Sequence, residues 1–234
     1  QTALDLADAC GYVLPAVDVA SLRSWFHQGR SGSLERYLEA FTHTVGVMQT
    51  ADAVERVAYE AAVDLAADGV VYAEVRFDPG LCTSGGLHRF DVVEAALAGL
   101  SRARSDTDLA GYLVVSGLRH RADTMEAARA AVRFAGEGVV GFDLAGPEAG
   151  IPPDDHMPAI RAAADAGLGI TLHAGEGAGP HSMWLARVRC GARRLGHGVR
   201  IVDDTDFDGR VIHNLGRFAT RVRDERIPLE VAVT

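Results

Sequence analysis

Short apolar stretches rich in valine, leucine and isoleucine recur along the chain at residues 70–77, 111–118, 139–144, 168–173, 194–197 and 227–233. Each has the length of a β-strand. Between them lie longer stretches rich in alanine and arginine, at 51–67, 91–104, 124–135, 154–166, 182–190 and 209–223. Their apolar residues recur three and four positions apart, the spacing of an amphipathic helix. In 51–67, for example, Val54, Val57, Ala58, Ala61 and Leu65 share one face, while Asp52, Glu55, Arg56 and Asp64 lie largely elsewhere. Gly69, Gly138 and Gly167 stand between a helical stretch and a strand, where a glycine readily takes the left-handed, helix-ending conformation.

Strand followed by helix, repeated in series, predicts an α/β protein whose parallel strands are joined by right-handed crossovers. Two architectures share that pattern, the (β/α)8 TIM-type barrel and the open doubly wound sheet. Polar and reactive residues fall at the carboxyl ends of several different strands: Glu74 and Arg76, Asp143 with Gly146, His173 with Glu176, and His197. A site gathered from many strand ends favours the barrel, because an open sheet concentrates its site at one switch point. Two further helical segments, near 1–11 and 34–48, predict a helical approach within residues 1–50 to a single, partial barrel domain spanning 1–234. No linker, charge run or low-complexity stretch marks a second domain.

Composition narrows the chemistry. Twenty-three basic residues against thirty-two acidic ones give a net charge of -9, which disfavours nucleic acid and anionic membrane surfaces as partners. Every basic residue is arginine, so Schiff-base chemistry, a phosphate-loop lysine and a carbamylated-lysine metal bridge are excluded. Cys10, Cys82 and Cys190 form no Cys-x-x-Cys pair and make no disulfide framework, which points to a reducing cytoplasm. No apolar run approaches the roughly 20 residues that cross a bilayer, and the first thirty residues lack the features of a signal peptide. The chain begins at Gln1 and stops at Thr234 inside an apolar run, so truncation at both ends is expected.

The strongest local signal is Leu172-His173-Ala174-Gly175-Glu176-Gly177, an apolar strand ending in a histidine with a glutamate three residues on. Small neighbours let a ligand approach closely. Neutral imidazole is a good zinc ligand, and a nearby carboxylate can take and return a proton from an activated water or a heteroaromatic nitrogen. The bland alternative is a backbone-bonded histidine beside a solvated glutamate. Leu195-Gly196-His197-Gly198 closes the next strand, and adjacent strand ends would bring His173 and His197 around one cavity. His197 can be a ligand or can orient an attacking hydroxide, and spacing does not choose between these. In Phe142-Asp143-Leu144-Ala145-Gly146-Pro147-Glu148, Gly146 can present its backbone N–H to a planar ligand, while Asp143 and Glu148 read as loop-holding residues. Arg76 reads as an internal ion-pair partner at the barrel mouth. The segment 175–180 resembles a dinucleotide loop but ends in Pro180, and neither a serine-hydrolase elbow nor a cytidine-deaminase cysteine pair is present.

In combination and order, Val71-Tyr72-Ala73-Glu74-Val75-Arg76-Phe77, Gly141-Phe142-Asp143-Leu144-Ala145-Gly146, His173-Ala174-Gly175-Glu176 and Arg194-Leu195-Gly196-His197-Gly198 resemble the adenosine deaminase family, most closely its bacterial branch. The resemblance implies a (β/α)8 barrel with one zinc ion at its carboxyl mouth. The implied reaction replaces a purine 6-amino group by oxygen, taking adenosine to inosine and ammonia. It implies further that His173 is a zinc ligand, Glu176 the acid that protonates the purine ring nitrogen, His197 the residue that positions the attacking hydroxide, and Gly146 the backbone contact to the purine. The family's first strand carries a His-x-His zinc pair and its last an aspartate ligand. Neither occurs here, so the six strands match the second to the seventh, and the first and last are expected to be lacking. The chain alone is then expected to bind zinc poorly and turn over little. Adenine or another aminopurine as substrate, or an inactive barrel fragment with a binding role, are the alternatives. The partner in the main reading is a small-molecule purine nucleoside, with no nucleic acid and no membrane.

Overall fold

The computed structural model describes residues 1–27 and 40–232. They form two compact units, one made of residues 1–27, 40–75 and 79–112, the other of 76–78 and 113–232. The predicted segment 34–48 falls partly outside the described residues.

The first unit carries helices α1 (Thr2–Cys10), α2 (Val19–Phe26), α3 (Phe41–Gly46), α4 (Ala51–Ala67) and α5 (Arg89–Asp106). Their starts follow ordinary capping chemistry. Asp18 accepts from the Ser21 N–H at 2.9 Å ahead of α2, and Thr50 from the Ala53 N–H at 3.3 Å ahead of α4, each satisfying an amide that has no intrahelical partner. His88 and Asp91 form a reciprocal capping box at α5. Leu6, Ala7, Val47 and Ala53 make a buried cluster covered by Tyr12, Leu14, Met48 and Val57. Helix α2 has no counterpart among the helices expected from periodicity, since one buried residue, Leu22, leaves too narrow an apolar stripe to register.

Strands β1 (Tyr72–Phe77) and β2 (Ala110–Leu118) contribute residues to both units. The second unit adds β3 (Val139–Ala145), β4 (Gly169–Ala174), β5 (Arg194–His197), β6 (Thr205–Phe207), β7 (Ile212–Leu215) and β8 (Leu229–Glu230). Its helices are α6 (Thr124–Arg133), α7 (Met157–Asp165), α8 (Pro180–Trp184) and α9 (Arg217–Asp224). The main sheet has six strands in the order β1-β2-β3-β4-β5-β8, and the successive pairs from β2 to β8 are parallel. Strand order follows chain order without reversal. A doubly wound sheet must reverse at its switch point, so this order is that of a singly wound (β/α) barrel sheet.

The expected strands all form, although the last is only two residues long. Periodicity fails at 209–223, where a helix was expected. Residues 212–215 are instead β7, paired antiparallel with β6, and the helix begins only at Arg217. Gly209 and Gly216 bracket that strand, and the flanking Val211 and Ile212 are exposed, so these apolar residues never belonged to a buried helical stripe. At 182–190 the α-helix is short and runs on as a π-helical turn, Leu185–Arg189. Two of the expected helix-ending glycines hold, Gly69 and Gly167 with φ of 85° and 82°, whereas Gly138, at φ 121°, stands five residues beyond a helix that ends at Arg133.

The core under one face of the sheet is built from Val115, Phe142, Leu144, Leu172 and Leu195, all fully buried, while Val114 lies on the opposite face with Ser116 and Asp143. Alanines on α6 (Ala127, Ala128, Ala130, Ala131) and α7 (Ala159, Ala163) are buried where these two helices pack together. Small side chains permit that close approach. Register then sets the site, since β4 and β5 pair His173 with Gly196 and Ala174 with His197, β2 and β3 pair Ser116 with Asp143, and β5 and β8 pair Gly196 with Glu230. Among the described residues, no helix is long and apolar enough to cross a membrane.

Candidate active site

His173 lies near the end of β4, and its ring is fixed from below by Asp143 of β3. The imidazole Nδ1 is 2.9 Å from Asp143 Oδ2, and the His173 backbone N–H donates to Oδ1 at 3.2 Å. Asp143 is fully buried, so its charge demands partners. The Ser116 hydroxyl donates to Oδ2 at 3.1 Å, and Arg76 Nη1 stands 3.6 Å from the same oxygen. Burial by itself would raise the Asp143 pKa, but His173, Arg76 and Ser116 together hold it below the ordinary carboxylate value. With Nδ1 directed at a carboxylate, the neutral ring keeps its proton there and leaves Nε2 as a free lone pair. Gly196 makes room for this ring, since a Cβ there would sit 3.2 Å from the imidazole.

His197 closes β5 with its ring centroid 5.0 Å from that of His173. Its Nε2 lies 3.6 Å from Glu176 Oε2. Burial pushes the His197 pKa below the usual histidine value, opposed by the Glu176 charge and reinforced by His173 and Arg76. The ring is therefore neutral at neutral pH. His197 also has φ of +70°, in the left-handed region, and is followed by Gly198 at φ +69°. A non-glycine residue held there costs roughly 1–2 kcal/mol, and such outliers gather at functional sites.

The strand-end residues expected to converge do so in part. His173, Glu176 and His197 come together, with Asp143 directly behind. Gly146 stands at the turn after β3 with φ of +88°, where a Cβ would lie 3.0 Å from His120 Nδ1. Arg76 is the ion-pair partner expected of it, bound to Glu230 Oε2 at 2.7 Å. Glu74 belongs to the first unit and accepts from the Tyr72 hydroxyl at 2.7 Å.

Three residues central to this geometry escaped the sequence reading or were underrated by it. Glu230 binds both Arg76 and Arg194 at 2.7 Å and accepts from Thr171 at 3.3 Å, so one carboxylate ties β8 to β1, β4 and β5. Arg119 is buried, donates to the His173 carbonyl and to the Ile151 carbonyl at 2.9 Å, and has its pKa lowered by desolvation. Glu148, read as a loop-holding residue, accepts from the backbone N–H groups of Gly175, Glu176, Gly177 and Ala178 at 2.7–3.0 Å. For Glu230 and Arg119 the available signal was a charged residue at or beside a strand end, which patterning alone does not separate from a solvated one.

A structural or catalytic zinc needs at least three protein donors. No cluster of three or more His, Cys, Asp or Glu side chains able to hold a metal exists among the described residues. His173 offers Nε2, but the described residues do not make a zinc site by themselves.

The fold class is a parallel (β/α) barrel sheet that gathers two histidines and a carboxylate at its strand ends. The chain belongs to the adenosine deaminase family, whose model matches residues 1–234. It is 52% identical to the adenosine deaminase of Mycobacterium tuberculosis over 237 aligned positions, covering 98% of this chain and 65% of that protein. The chain thus spans just under two thirds of the length of the curated relatives it matches, 66% and 65% for two of them. Among solved structures it is similar to an adenine deaminase from Arthrobacter aurescens, with a TM-score of 0.81 and 25% identity over 97% of this chain and 66% of that one. It is also similar to an amidohydrolase from Burkholderia ambifaria with bound zinc, at TM-score 0.74 and 26% identity over 87% of this chain and 56% of that one.

Proposed function

We propose that the protein carrying this chain catalyses the hydrolytic deamination of adenosine to inosine and ammonia, with one zinc ion as cofactor. The observation that carries this reading is the meeting of Glu176 and His197 at 3.6 Å beside the His173 ring, in a chain of this family. His173 is the zinc ligand in this reading. Bound there, zinc would supply a water of lowered pKa.

The chain's own residues account for proton handling and positioning. Glu176 delivers a proton to the purine ring nitrogen, which makes C6 electrophilic; the oxygen of water bonds to C6, and of its two protons one returns to Glu176 and the other leaves on the amino nitrogen as ammonia when the C6–N bond breaks. His197, neutral through burial, can accept a hydrogen bond from the attacking water and aim it at C6. Gly146 offers its backbone to the purine plane, unobstructed by a side chain. Asp143 holds the His173 ring in one tautomer.

The test is Glu176→Gln in the natural polypeptide. Ammonia release from adenosine is expected to be abolished while bound metal is retained, and retained activity would overturn the assignment. Similarity to an adenine deaminase supports a second reading, in which the free base is the substrate. Comparing ammonia release from adenosine and from adenine decides between them.

A further inference from the structure

We infer that Glu148 is a positioning residue for deamination, a carboxylate whose task is to hold the backbone beneath Glu176 so that the acid faces His197. This rests on the deaminase reading above. The observation is the convergence of four consecutive backbone N–H groups on one side chain. Gly175 N–H donates to Oε1 at 2.7 Å, while Glu176, Gly177 and Ala178 donate to Oε2 at 3.0, 2.8 and 2.9 Å. Ser182 adds a hydroxyl donor. Successive amides aimed at one point form an anion-binding nest, and here the anion is supplied by the protein itself.

The carbonyls of the same loop are fixed from other directions. Arg119 donates to the His173 carbonyl, Gly198 N–H to Ala174 at 2.9 Å, and Arg200 N–H to Gly175 at 2.8 Å. The loop bearing Glu176 is thereby pinned to the turn that follows His197. Gly175 is required at φ +79°, since a Cβ there would lie 2.5 Å from Met183 Sδ. Glu148 itself is 5% exposed and buried against this loop. Its five donors are backbone and hydroxyl groups, not a lysine or arginine head, so its charge serves the geometry of the loop. A residue that only filled space here would need neither two carboxylate oxygens nor a charge.

The chemistry distinguishes Glu from Gln at this position. Gln keeps one acceptor oxygen but turns an NH2 group toward amides that also donate, so even with its oxygen facing the three amides at Oε2, the Gly175 amide, one residue before Glu176, loses its acceptor. Glu176 then shifts relative to the substrate nitrogen while the substrate pocket is unchanged.

The experiment uses the natural polypeptide loaded with metal, with adenosine as substrate. In Glu148→Gln, kcat is expected to fall by about 10²-fold, the order expected when a reacting group is misplaced by about 1 Å. KM and bound metal stay within about twofold, the pattern of an interaction made only in the transition state. Amides 175–178 should also exchange hydrogen faster. A metal-loaded Glu148→Gln protein with unchanged kcat per folded molecule would reduce Glu148 to a structural role and overturn the inference. Should that variant fail to fold, Ser182→Ala removes one donor from the same carboxylate. A several-fold loss of kcat at constant KM is then expected, and unchanged kcat overturns the inference. A wild-type protein that releases no ammonia from adenosine or adenine overturns the deaminase reading, and the inference with it. Active wild type with unaffected variants overturns the inference alone.

Discussion

Asp143→Asn is the substitution whose consequences the geometry fixes most tightly. The side chain is fully buried, and asparagine has nearly its shape, so packing is preserved and only charge and hydrogen-bond polarity change. Oδ1 can still accept from the His173 N–H. The group replacing Oδ2 becomes a donor, facing His173 Nδ1 at 2.9 Å, the Ser116 hydroxyl at 3.1 Å and Arg76 Nη1 at 3.6 Å. Ser116 can turn its hydroxyl and accept, and the His173 Nδ1–H keeps Oδ1 as an acceptor at 3.1 Å, but the Arg76 contact cannot be reversed. A hydrogen bond to a charged group is worth about 1.5–3 kcal/mol, and breaking one side of a buried ion pair costs about 3–5 kcal/mol. Because Arg76 keeps Glu230, the lower end, about 3 kcal/mol, is expected, which lowers Tm by about 6–12 °C for a chain of this size. A second readout separates this mechanism from general damage. An asparagine NH2 in place of Oδ2 competes with Oδ1 for Nδ1, and wherever it donates there the ring proton moves to Nε2, which removes the lone pair available for a ligand. Nitrogen-15 NMR of the His173 ring is expected to report that exchange, and in the natural polypeptide the proposed zinc affinity is expected to fall by about 10–100-fold. A Tm within about 2 °C of wild type, with Nδ1 still carrying the proton, would refute the argument.

Two further predictions concern burial and pH. Cys10 is exposed, Cys82 is buried, and burial pushes the Cys190 thiol up to about 11, so a thiol reagent at pH 8 should titrate Cys10 quickly and the other two only after denaturation. Fast modification of Cys190 in the folded protein would contradict its placement. Burial tends to raise the Glu148 pKa, but Ser182 and the loop amides win and hold it below the ordinary value. Its stabilising contribution is therefore complete above the unfolded carboxylate value of about 4.3 and is lost as pH falls through the folded one. The difference in Tm between wild type and Glu148→Gln should shrink on acidification, and a constant difference from pH 7 to 3 would show that charge is irrelevant at this position.

The roles proposed for His173, Glu176, His197 and Gly146 came from the resemblance to the adenosine deaminase family, and the motifs that carry it are local for a chemical reason. A histidine and a glutamate among small residues at a strand end expose reactive groups to a ligand, and that pattern survives in one dimension. Glu148 carried no such signal. It belongs to the loop after β3 and acts on the loop after β4, with 27 to 30 residues between donor and acceptor, a separation that only packing can close.

The sequence by itself determined the alternation of strand and helix, the parallel α/β class and the strand ends at which reactive side chains stand. Periodicity of two and of 3.6 residues reports directly which face each element buries. It could not determine the β6–β7 pairing, whose apolar residues are exposed and so carry no burial pattern. Nor could it fix which carboxylate meets which cation. Tertiary structure decided that Asp143 lies behind His173, that Glu230 joins Arg76 and Arg194, and that Glu148 gathers four amides. The physical reason is that burial is a property of a residue and its near neighbours in sequence, whereas electrostatic partnership is a property of register. Register is set by the whole sheet at once.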